Sequence, residues 1–368
     1  MTASRPLRHA RRRLAATVLA AATGLALLSA CGGGGDDDKA TTKAPDESTP
    51  WSTIEADAKT EGEVTVWSTI QGTANDELKK AFEKAYPDIK VTIAPFAPAD
   101  ITQKVDAEKT GGTVTADFLI QTDRVWHEKV QSAGYFAKVL GPDAEEADER
   151  LRGGAAPDTS GKTVTTQALY ADNTLAVLGY SGLGFAWNKD KIKSEPSFDS
   201  MFADDTYKGH VGIVDPESSL GIQNAYAVWA DRHPDLFKKL GGLNVTVYPT
   251  GQALAQGMSA GAVDIGFPST LSVTTQMPNL GFAYDLPAPA QPRFGEVMAS
   301  APHPNAAQVF ADWMMTNVAQ ETLVKVGGSL PVIPVEGGLA GGDVHVYDVA
   351  ATPEVAATLA EIKADLGR

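Results

Sequence analysis

The sequence predicts an α/β protein built on parallel β-sheets, and three observations lead to that prediction. Short apolar runs rich in valine and isoleucine alternate with longer segments whose apolar residues recur at helical spacing. The chain has 368 residues, of which 43% are apolar, which is enough for two domains with separate cores. Several apolar runs end in polar turns rich in hydroxyl groups. In parallel sheets such turns gather at one edge, where ligands bind.

The first 30 residues do not share this pattern. Five arginines within residues 1–13 precede a run of small and apolar residues, 14–30, and this order predicts a secretion signal peptide. Leu28-Ser29-Ala30-Cys31 contains the only cysteine of the chain and resembles the bacterial lipobox. We therefore predict lipidation at Cys31, which would anchor the protein at the outer face of the cell membrane, either extracellular or periplasmic. An ordinary signal peptide with an incidental cysteine is the alternative.

Residues 31–50 are rich in Gly, Asp, Ser, Thr and Pro, which predicts a flexible tether. The formal net charge of the chain is −15, and removal of the arginine-rich signal makes it more negative. This charge argues against nucleic acid or an anionic membrane surface as a partner. We expect membrane contact through the lipid anchor only, and a monomer.

The first folded unit shows the strand and helix signals most clearly. Val64-Thr65-Val66-Trp67 predicts a strand, and residues 78–85 carry apolar side chains at positions i, i+3, i+4 and i+7, as in a helix. Pro87-Asp88 ends that helix, and residues 89–93 predict a second strand. The segment is therefore a βαβ unit with parallel strands.

The same order recurs at three later places in the chain. The apolar runs 116–120, 211–214 and 263–267 are each followed by a polar turn. Helices that begin in such turns offer free backbone N–H groups and the positive end of the helix dipole. Together with the turn after the first strand, these turns are the predicted site.

Several segments resemble bacterial extracellular solute-binding proteins of the iron(III)-type family. The resemblance rests on the order and spacing of six segments between residues 61 and 335: VTVWSTIQGTANDELKKAFEKAYPDIKV, ADFLIQTDRVWHEKVQSAGYF, GYSGLGFAWNKDKI, YKGHVGIVDPESS, ALAQGMSAGAVDIGF and ASAPHPNAAQVFADWMMTNVAQETLVKVGGSLPV.

The resemblance implies the type II periplasmic-binding-protein fold, in which two α/β lobes joined by crossing strands close on a ligand in the cleft between them. The first lobe would hold residues 51–167 and 282–335, and the second lobe residues 168–281. Residues 336–368 would pack back on the lobes, and residues 175–188 are predicted to be a strand that enters the second lobe. The chain would act as the receptor of an ABC importer, with the permease as its protein partner.

Ferric members of the family bind the metal through a histidine, a glutamate and two tyrosines. The corresponding positions in this sequence are Gln71, Thr122, Leu271 and Ser272. Ferric iron prefers anionic oxygen ligands, which these side chains do not supply. We therefore expect neither bare iron nor any other metal or cofactor, although a ferric chelate stays open.

The predicted site instead contains neutral hydroxyl and amide groups and one carboxylate. Its residues are Ser68, Thr69, Gln71, Thr122, Asp123, Ser218, Ser219, Ser269 and Thr270. Hydroxyls and backbone N–H groups at helix starts suit a phosphonate, a phosphate ester or a carboxylate. For each hydroxyl a helix cap is the structural alternative.

We therefore predict a small polar solute, most simply an anionic, phosphonate- or phosphate-ester-like one. A polyamine or a sugar is the alternative within the same fold, with Trp67, Trp126, Tyr180, Trp187 or Trp229 stacking on the sugar. An enzyme is not expected, because Gly179-Tyr180-Ser181-Gly182 lacks the last glycine of a nucleophile elbow and the six histidines are scattered. An anchored hydrolase or an adhesive lipoprotein is the alternative of another class.

Overall fold

The computed structural model describes residues 42–70, 73–153, 169–170, 172–197, 199–202, 205–327, 329–330, 344–347 and 352–367. These ranges belong to one compact unit, Lys39–Arg368. The predicted signal peptide, Cys31 and Gln71 lie outside the described residues.

The α-helices of the described part alternate with strands over much of the chain. In chain order they are α1 (Trp51–Glu61), α2 (Ala74–Ala85), α3 (Pro98–Gly111), α4 (Arg124–Gln131), α5 (Pro142–Gly153), α6 (Leu220–Arg232), α7 (Leu236–Gly242), α8 (Gly251–Ser259), α9 (Leu271–Thr274), α10 (Pro304–Trp313), α11 (Asn317–Gly327) and α12 (Pro353–Asp365).

The β-strands of the described part are mostly short, and several are buried along their whole length, as expected for sheets covered on both faces. They are β1 (Glu63–Ser68), β2 (Lys90–Pro95), β3 (Phe118–Gln121), β4 (Phe136–Ala137), β5 (Leu169–Tyr170), β6 (Leu175–Gly182), β7 (Gly184–Asn188), β8 (Val211–Val214), β9 (Thr246–Tyr248), β10 (Ile265–Ser269), β11 (Leu280–Ala283), β12 (Ala288–Met298), β13 (Ser329–Leu330) and β14 (Val344–Val346).

The larger sheet has the strand order β13-β6-β12-β3-β1-β2. In addition, β4 and β14 pair with β12, and β5 pairs with β6. β1 lies parallel to both β2 and β3, which confirms the predicted βαβ unit. β12 runs antiparallel to β3 and to β6. We call this sheet and the helices packed on it lobe 1.

The smaller sheet has the order β11-β7-β10-β8-β9 and, with its helices, forms lobe 2. β8 lies parallel to β9 and β10, so these three strands end at the same edge. Two connections between the lobes are described in full: β6 continues through Leu183 into β7, and residues 284–287 join β11 to β12. The chain changes lobe again between β14, which pairs with β12, and α12, which packs on α6 and α7.

The start of the smaller sheet differs from the predicted start of the second lobe. β5 and β6 follow residue 168 but pair within the larger sheet, and the smaller sheet begins only at Gly184. The apolar pattern of residues 175–188 predicts a strand correctly, but it contains no signal for the point at which that strand leaves one sheet for the other.

Each sheet is covered on both faces by separate apolar cores. In lobe 1, alternate residues of β1 point to opposite faces, so that Val66 packs with α1, α2 and α10 whereas Trp67 packs with α3 and α4. In lobe 2, α6, α7 and α12 cover one face and α8 covers the other. The predicted return of the C-terminal segment is seen as the packing of α12 on α6 and α7.

Residues 42–50, the last part of the predicted tether, make specific contacts with lobe 1. The Asn305 side chain donates to the Lys43 carbonyl oxygen at 3.2 Å, and Lys138 pairs with Glu47 at 2.8 Å. Thr42 also hydrogen-bonds to Glu61. Composition alone suggested a free tether here, because it does not show that partners on α1 and α10 lie within reach.

Candidate functional site

The predicted site residues fall into two groups, one at the carboxyl edge of each sheet. Ser68 and Thr69 follow β1, and Thr122 and Asp123 follow the neighbouring strand β3. Ser218 and Ser219 follow β8, whereas Ser269 ends β10 and Thr270 follows it. Adjacent strands of one sheet therefore place the members of each group at the same edge.

In lobe 1, Ser68 is fully buried and its hydroxyl stabilises its own turn. The backbone N–H of Ile70 donates to Ser68 Oγ at 3.0 Å, and Ser68 Oγ donates to Asn75 Oδ1 at 3.2 Å. The Asn75 amide in turn donates to the Ile70 carbonyl oxygen at 2.7 Å. The sequence indicated a ligand donor at this position, but the geometry gives the hydroxyl a structural role.

The turn that carries Thr122 and Asp123 is held by a buried polar network. Gln121 Oε1 accepts from the backbone N–H of Asp123 at 2.9 Å, and Gln121 Nε2 donates to both carboxylate oxygens of Glu296, at 2.8 and 2.9 Å. His127 Nδ1 lies 2.6 Å from Glu296 Oε1. Burial raises the pKa of the Glu296 carboxyl, and the hydrogen bond from His127 opposes that shift. The network fastens this turn to β12.

Asp123 also caps α4, because its Oδ1 accepts from the backbone N–H of Trp126 at 2.9 Å. Asp123 and Thr122 are both half-buried. The capping role considered for the hydroxyl residues is thus taken here by a carboxylate, that of Asp123.

In lobe 2, the two turns that precede α6 and α8 lie side by side. The backbone N–H of Asp215 donates to the Tyr248 carbonyl oxygen at 2.7 Å, which joins the end of β8 to the end of β9. Ser219 Oγ accepts from the N–H of Ile222 at 3.3 Å, and Thr250 Oγ1 accepts from the N–H of Ala253 at 3.1 Å. Each hydroxyl caps its helix, and the N-termini of α6 and α8 open at the same edge.

A cavity of about 240 Å³ lies at this edge, between the turns of lobe 2 and the strands that cross between the lobes. Its lining residues are Ser181, Leu183, Ser219, Gly221, Ile222, Gly251, Gln252, Pro268, Ser269, Thr270, Val273 and Gln291. Of the predicted residues, Ser219, Ser269 and Thr270 line it. Ser68, Thr69, Thr122, Asp123 and Ser218 are not among the described residues that line it.

Ser269 is the least satisfied polar residue in this lining. It is 3% exposed, and its Oγ has no hydrogen-bond partner in the part of the chain that the structure describes. A buried hydroxyl without a partner is unfavourable by roughly 1–3 kcal/mol. Ser269 therefore has a donor and acceptor available for a bound solute.

Nine of the twelve residues that line the cavity were not named as site residues from the sequence, and four of them show why. Gly251 and Gln252 begin α8 after Pro249-Thr250, the turn behind β9, and the three residues of that strand are too few to give a strand signal. Ser181 and Gln291 are partners on the crossing strands β6 and β12. Nothing in the sequence marks these two, because their approach to the cavity depends on how the strands cross.

The aromatic residues considered for stacking on a sugar lie in the cores. Trp67, Trp126, Trp187 and Trp229 are all buried, and only Tyr180 is half-buried. The described residues contain no group of three or more His, Cys, Asp or Glu side chains that could hold a metal ion. No helix within the described ranges is sufficiently long and apolar to span a bilayer.

The sequence profile of the bacterial extracellular solute-binding proteins matches residues 77–337. No curated protein sequence matches the chain significantly.

Solved structures with the same fold include the following three. The substrate-binding protein of an ABC transporter from Agrobacterium tumefaciens is 17% identical, with a TM-score of 0.62, over 83% of this chain and 94% of that chain. Iron-bound HitA from Pseudomonas aeruginosa is 17% identical, with a TM-score of 0.57, over 83% and 99%. AfuA from Actinobacillus pleuropneumoniae, with exogenous fructose-6-phosphate bound, is 19% identical, with a TM-score of 0.58, over 83% and 99%. At these identities the likeness establishes the fold.

Proposed function

The chain belongs to the bacterial extracellular solute-binding protein family, and from that premise we propose that it is the lipid-anchored receptor of an ABC importer for a small anionic solute. The solute class is phosphonate- or phosphate-ester-like. The observation that carries this choice is the cavity of about 240 Å³ at the N-termini of α6 and α8, which is lined by neutral hydroxyl, amide and backbone groups.

The first turns of α6 and α8 favour a negative group in this cavity. The leading N–H groups of a helix have no carbonyl acceptor within the helix, and the aligned peptide dipoles place partial positive charge there. Ser269 adds a buried hydroxyl without a partner among the described residues. Together these donors support a phosphate or phosphonate oxygen as the recognised atom.

The donor set weighs against a polyamine and an uncharged sugar, two of the solutes that the sequence left open, and against bare ferric iron. A polyamine needs carboxylates, and no carboxylate lines the cavity among the described residues. A sugar without a charged group is usually stacked on an aromatic ring, and the four tryptophans considered for that role are buried in the cores. Bare ferric iron needs anionic ligands, whereas Leu271 and Ser272 stand at the positions of the family's tyrosines.

Solute capture would proceed by closure of the two lobes. In this proposal the solute first binds the lobe 2 cavity, and Thr69 and Thr122 of lobe 1 reach it on closure, with Gln71 as a further donor. Asp123 remains the N-cap of α4 and does not contact the anion. A ligand shifts the open–closed equilibrium only through contacts that one state makes and the other lacks. The permease would then recognise the closed arrangement, and Cys31 would keep the receptor at the membrane.

A thermal-shift panel on residues 39–368 tests the solute class. The panel contains phosphonates, phosphate esters, polyamines, sugars and ferric chelates. A ligand at 100 times its dissociation constant adds about 2.7 kcal/mol of stability, a shift of a few degrees. We expect shifts from the phosphonates or phosphate esters. Shifts from polyamines or uncharged sugars alone would retain the receptor and overturn the anionic solute.

A further inference from the structure

The cavity in lobe 2 contains no ionisable side chain among the residues that line it. Its polar side chains are the hydroxyls of Ser181, Ser219, Ser269 and Thr270 and the amides of Gln252 and Gln291. Binding sites for anions commonly contain arginine or lysine, which supply a charged donor. Here the only positive potential within the lining comes from the helix starts.

Two helices of sufficient length begin in the cavity. α6 has 13 residues and α8 has 9, and the caps Ser219 and Thr250 each accept only the N–H of the third helical residue. The N–H groups of Gly221 and Gly251 precede those capped positions and have no carbonyl acceptor within their own helices. Both glycines line the cavity. A Cβ at Gly221 would lie 2.8 Å from Gln291 Oε1, so the amide of Gln291 lies directly over the start of α6.

Ser269 provides the independent sign of a ligand. It lines the same cavity, is 3% exposed, and its Oγ has no partner within the described ranges. A serine in the interior of a lobe is normally hydrogen-bonded. The orphaned hydroxyl is satisfied if an oxyanion takes up the space next to it.

From this lining we infer that the cavity recognises the solute's charge through helix starts and neutral donors alone, so that the solute and not the protein sets the pH dependence of binding. This inference rests on the proposed function and narrows its solute class to fully ionised oxyanions. Each donor in the lining has a fixed protonation state. The lining also lacks a carboxylate, the strong acceptor that a protonated phosphate oxygen would require.

The charged groups on neighbouring elements lie outside the lining. They include Asp215 and Glu217 before α6, Asp231 and Arg232 at the end of α6, Lys363 on α12, Arg293 and Glu296 on β12, His345 on β14 and, in lobe 1, Asp123. Lys363 pairs with Glu217 at 3.0 Å, and burial lowers the pKa of the Arg293 guanidinium to about 10. Burial raises the pKa of the nearby Tyr180 and Tyr347 hydroxyls, which stay neutral. Among these residue types only histidine ordinarily titrates between pH 5 and 8.

The test compares two esters of one sugar, glucose 6-phosphate and glucose 6-sulfate, by calorimetric titration into residues 39–368 at pH 5, 6, 7 and 8. Inorganic phosphate and sulfate are titrated in parallel as the bare anionic groups. A sulfate ester keeps one charge throughout, whereas a phosphate monoester gains its second charge with a pKa of about 6. We expect the affinity for the phosphate ester to rise about tenfold from pH 5 to 7, and that for the sulfate ester to stay within about twofold.

Two variants separate the solute's ionisation from that of the protein. His345→Gln removes the histidine of β14, the strand paired with β12, and we expect both profiles to stay unchanged. Gln252→His places an ionisable group in the lining, and we expect binding of the sulfate ester to tighten as the pH falls below about 6.5.

The outcomes distinguish failure of this inference from failure of the proposed function. A sulfate-ester affinity that changes tenfold between pH 5 and 8 in the wild-type protein would show that a protein group titrates on binding, and would overturn the inference alone. If the pH profile of the wild type flattens in His345→Gln, the inference is also overturned, and His345 is the group that titrates on binding. If no ester and no inorganic anion binds at any pH, the anionic solute class fails, and the inference fails with it.

Discussion

Ser269 combines deep burial with a hydroxyl that no described residue satisfies. Such a residue lowers the stability of the free protein and is explained if it contributes to binding. The sequence placed Ser269 in the site because it ends a buried strand, but the pattern could not show that its hydroxyl has no partner. The same reasoning selected Ser68, whose hydroxyl is used within its own turn. One sequence pattern therefore gave a candidate ligand donor and a structural serine.

Ser269→Ala should have opposite effects on binding and stability. Loss of a hydrogen bond to a charged ligand costs roughly 1.5–3 kcal/mol, or about 10- to 100-fold in affinity. Removal of an unsatisfied buried hydroxyl should leave the melting temperature of the free protein unchanged or raise it. Calorimetric titration with the strongest anion of the thermal-shift panel and thermal unfolding measure the two effects.

Ser259→Ala is the matched control, because Ser259 Oγ donates to Asn279 Oδ1 at 2.8 Å at the far end of α8. It should lower stability by about 1 kcal/mol and leave the affinity unchanged. If Ser269→Ala instead destabilises the protein as Ser259→Ala does and retains full affinity, Ser269 is a structural residue.

The observed helices and strands agree best with the sequence prediction where the apolar spacing is regular over several turns. α2, with apolar residues at i, i+3, i+4 and i+7, lies within the predicted βαβ unit between β1 and β2. The short strand β9 has only three residues, too few for an alternation signal, and the turn behind it was overlooked for that reason. Contacts between elements that are distant in the chain, such as that between α10 and α5, had no local signal.

One of these contacts predicts a pH dependence of stability. Asp312 in α10 is 1% exposed, and its Oδ1 accepts from the N–H of Ala144 at the start of α5 at 2.8 Å. Burial is the main cause that raises the pKa of this carboxyl to about 7. A carboxyl whose folded pKa is raised binds its proton more tightly in the folded state, so its contribution to stability is lost as the pH rises towards 7.

Asp312→Asn should remove this dependence, since the amide oxygen can still accept from Ala144 without a charge. Relative to the wild type, the variant should gain roughly 2 kcal/mol of unfolding free energy between pH 5 and pH 7. Urea unfolding at both pH values measures the difference. If the unfolding free energies of the two proteins change equally between pH 5 and pH 7, the Asp312 carboxyl is not the source of the pH dependence.

At the scale of the whole molecule, the family and the two-lobe architecture could be predicted because they depend on the order of many strand–turn–helix segments. The solute could not be predicted in the same way, because its identity depends on which residues from distant segments of the chain meet at the cavity. Gln252 and Gln291 are 39 positions apart in the sequence and line the same cavity. The crossing of β6 and β12, which places Ser181 and Gln291 there, is a property of the assembled lobes.

The central claim is that the cavity in lobe 2 binds an anion, and calorimetric titration of Gln252→Glu tests it most directly. Gln252 lines the cavity in the first turn of α8, where a carboxylate is compatible with the helix dipole and should leave stability unchanged or raise it. Gln256→Glu adds the same charge one turn later, at an exposed position outside the lining, and serves as the control.

Titration of the strongest anion from the thermal-shift panel into the wild type and both variants gives the decisive comparison. We predict that Gln252→Glu lowers the affinity severalfold, because the new carboxylate lies in the cavity lining and repels the bound anion, whereas Gln256→Glu binds like the wild type. Equal affinities of all three proteins would place the solute elsewhere and contradict the account.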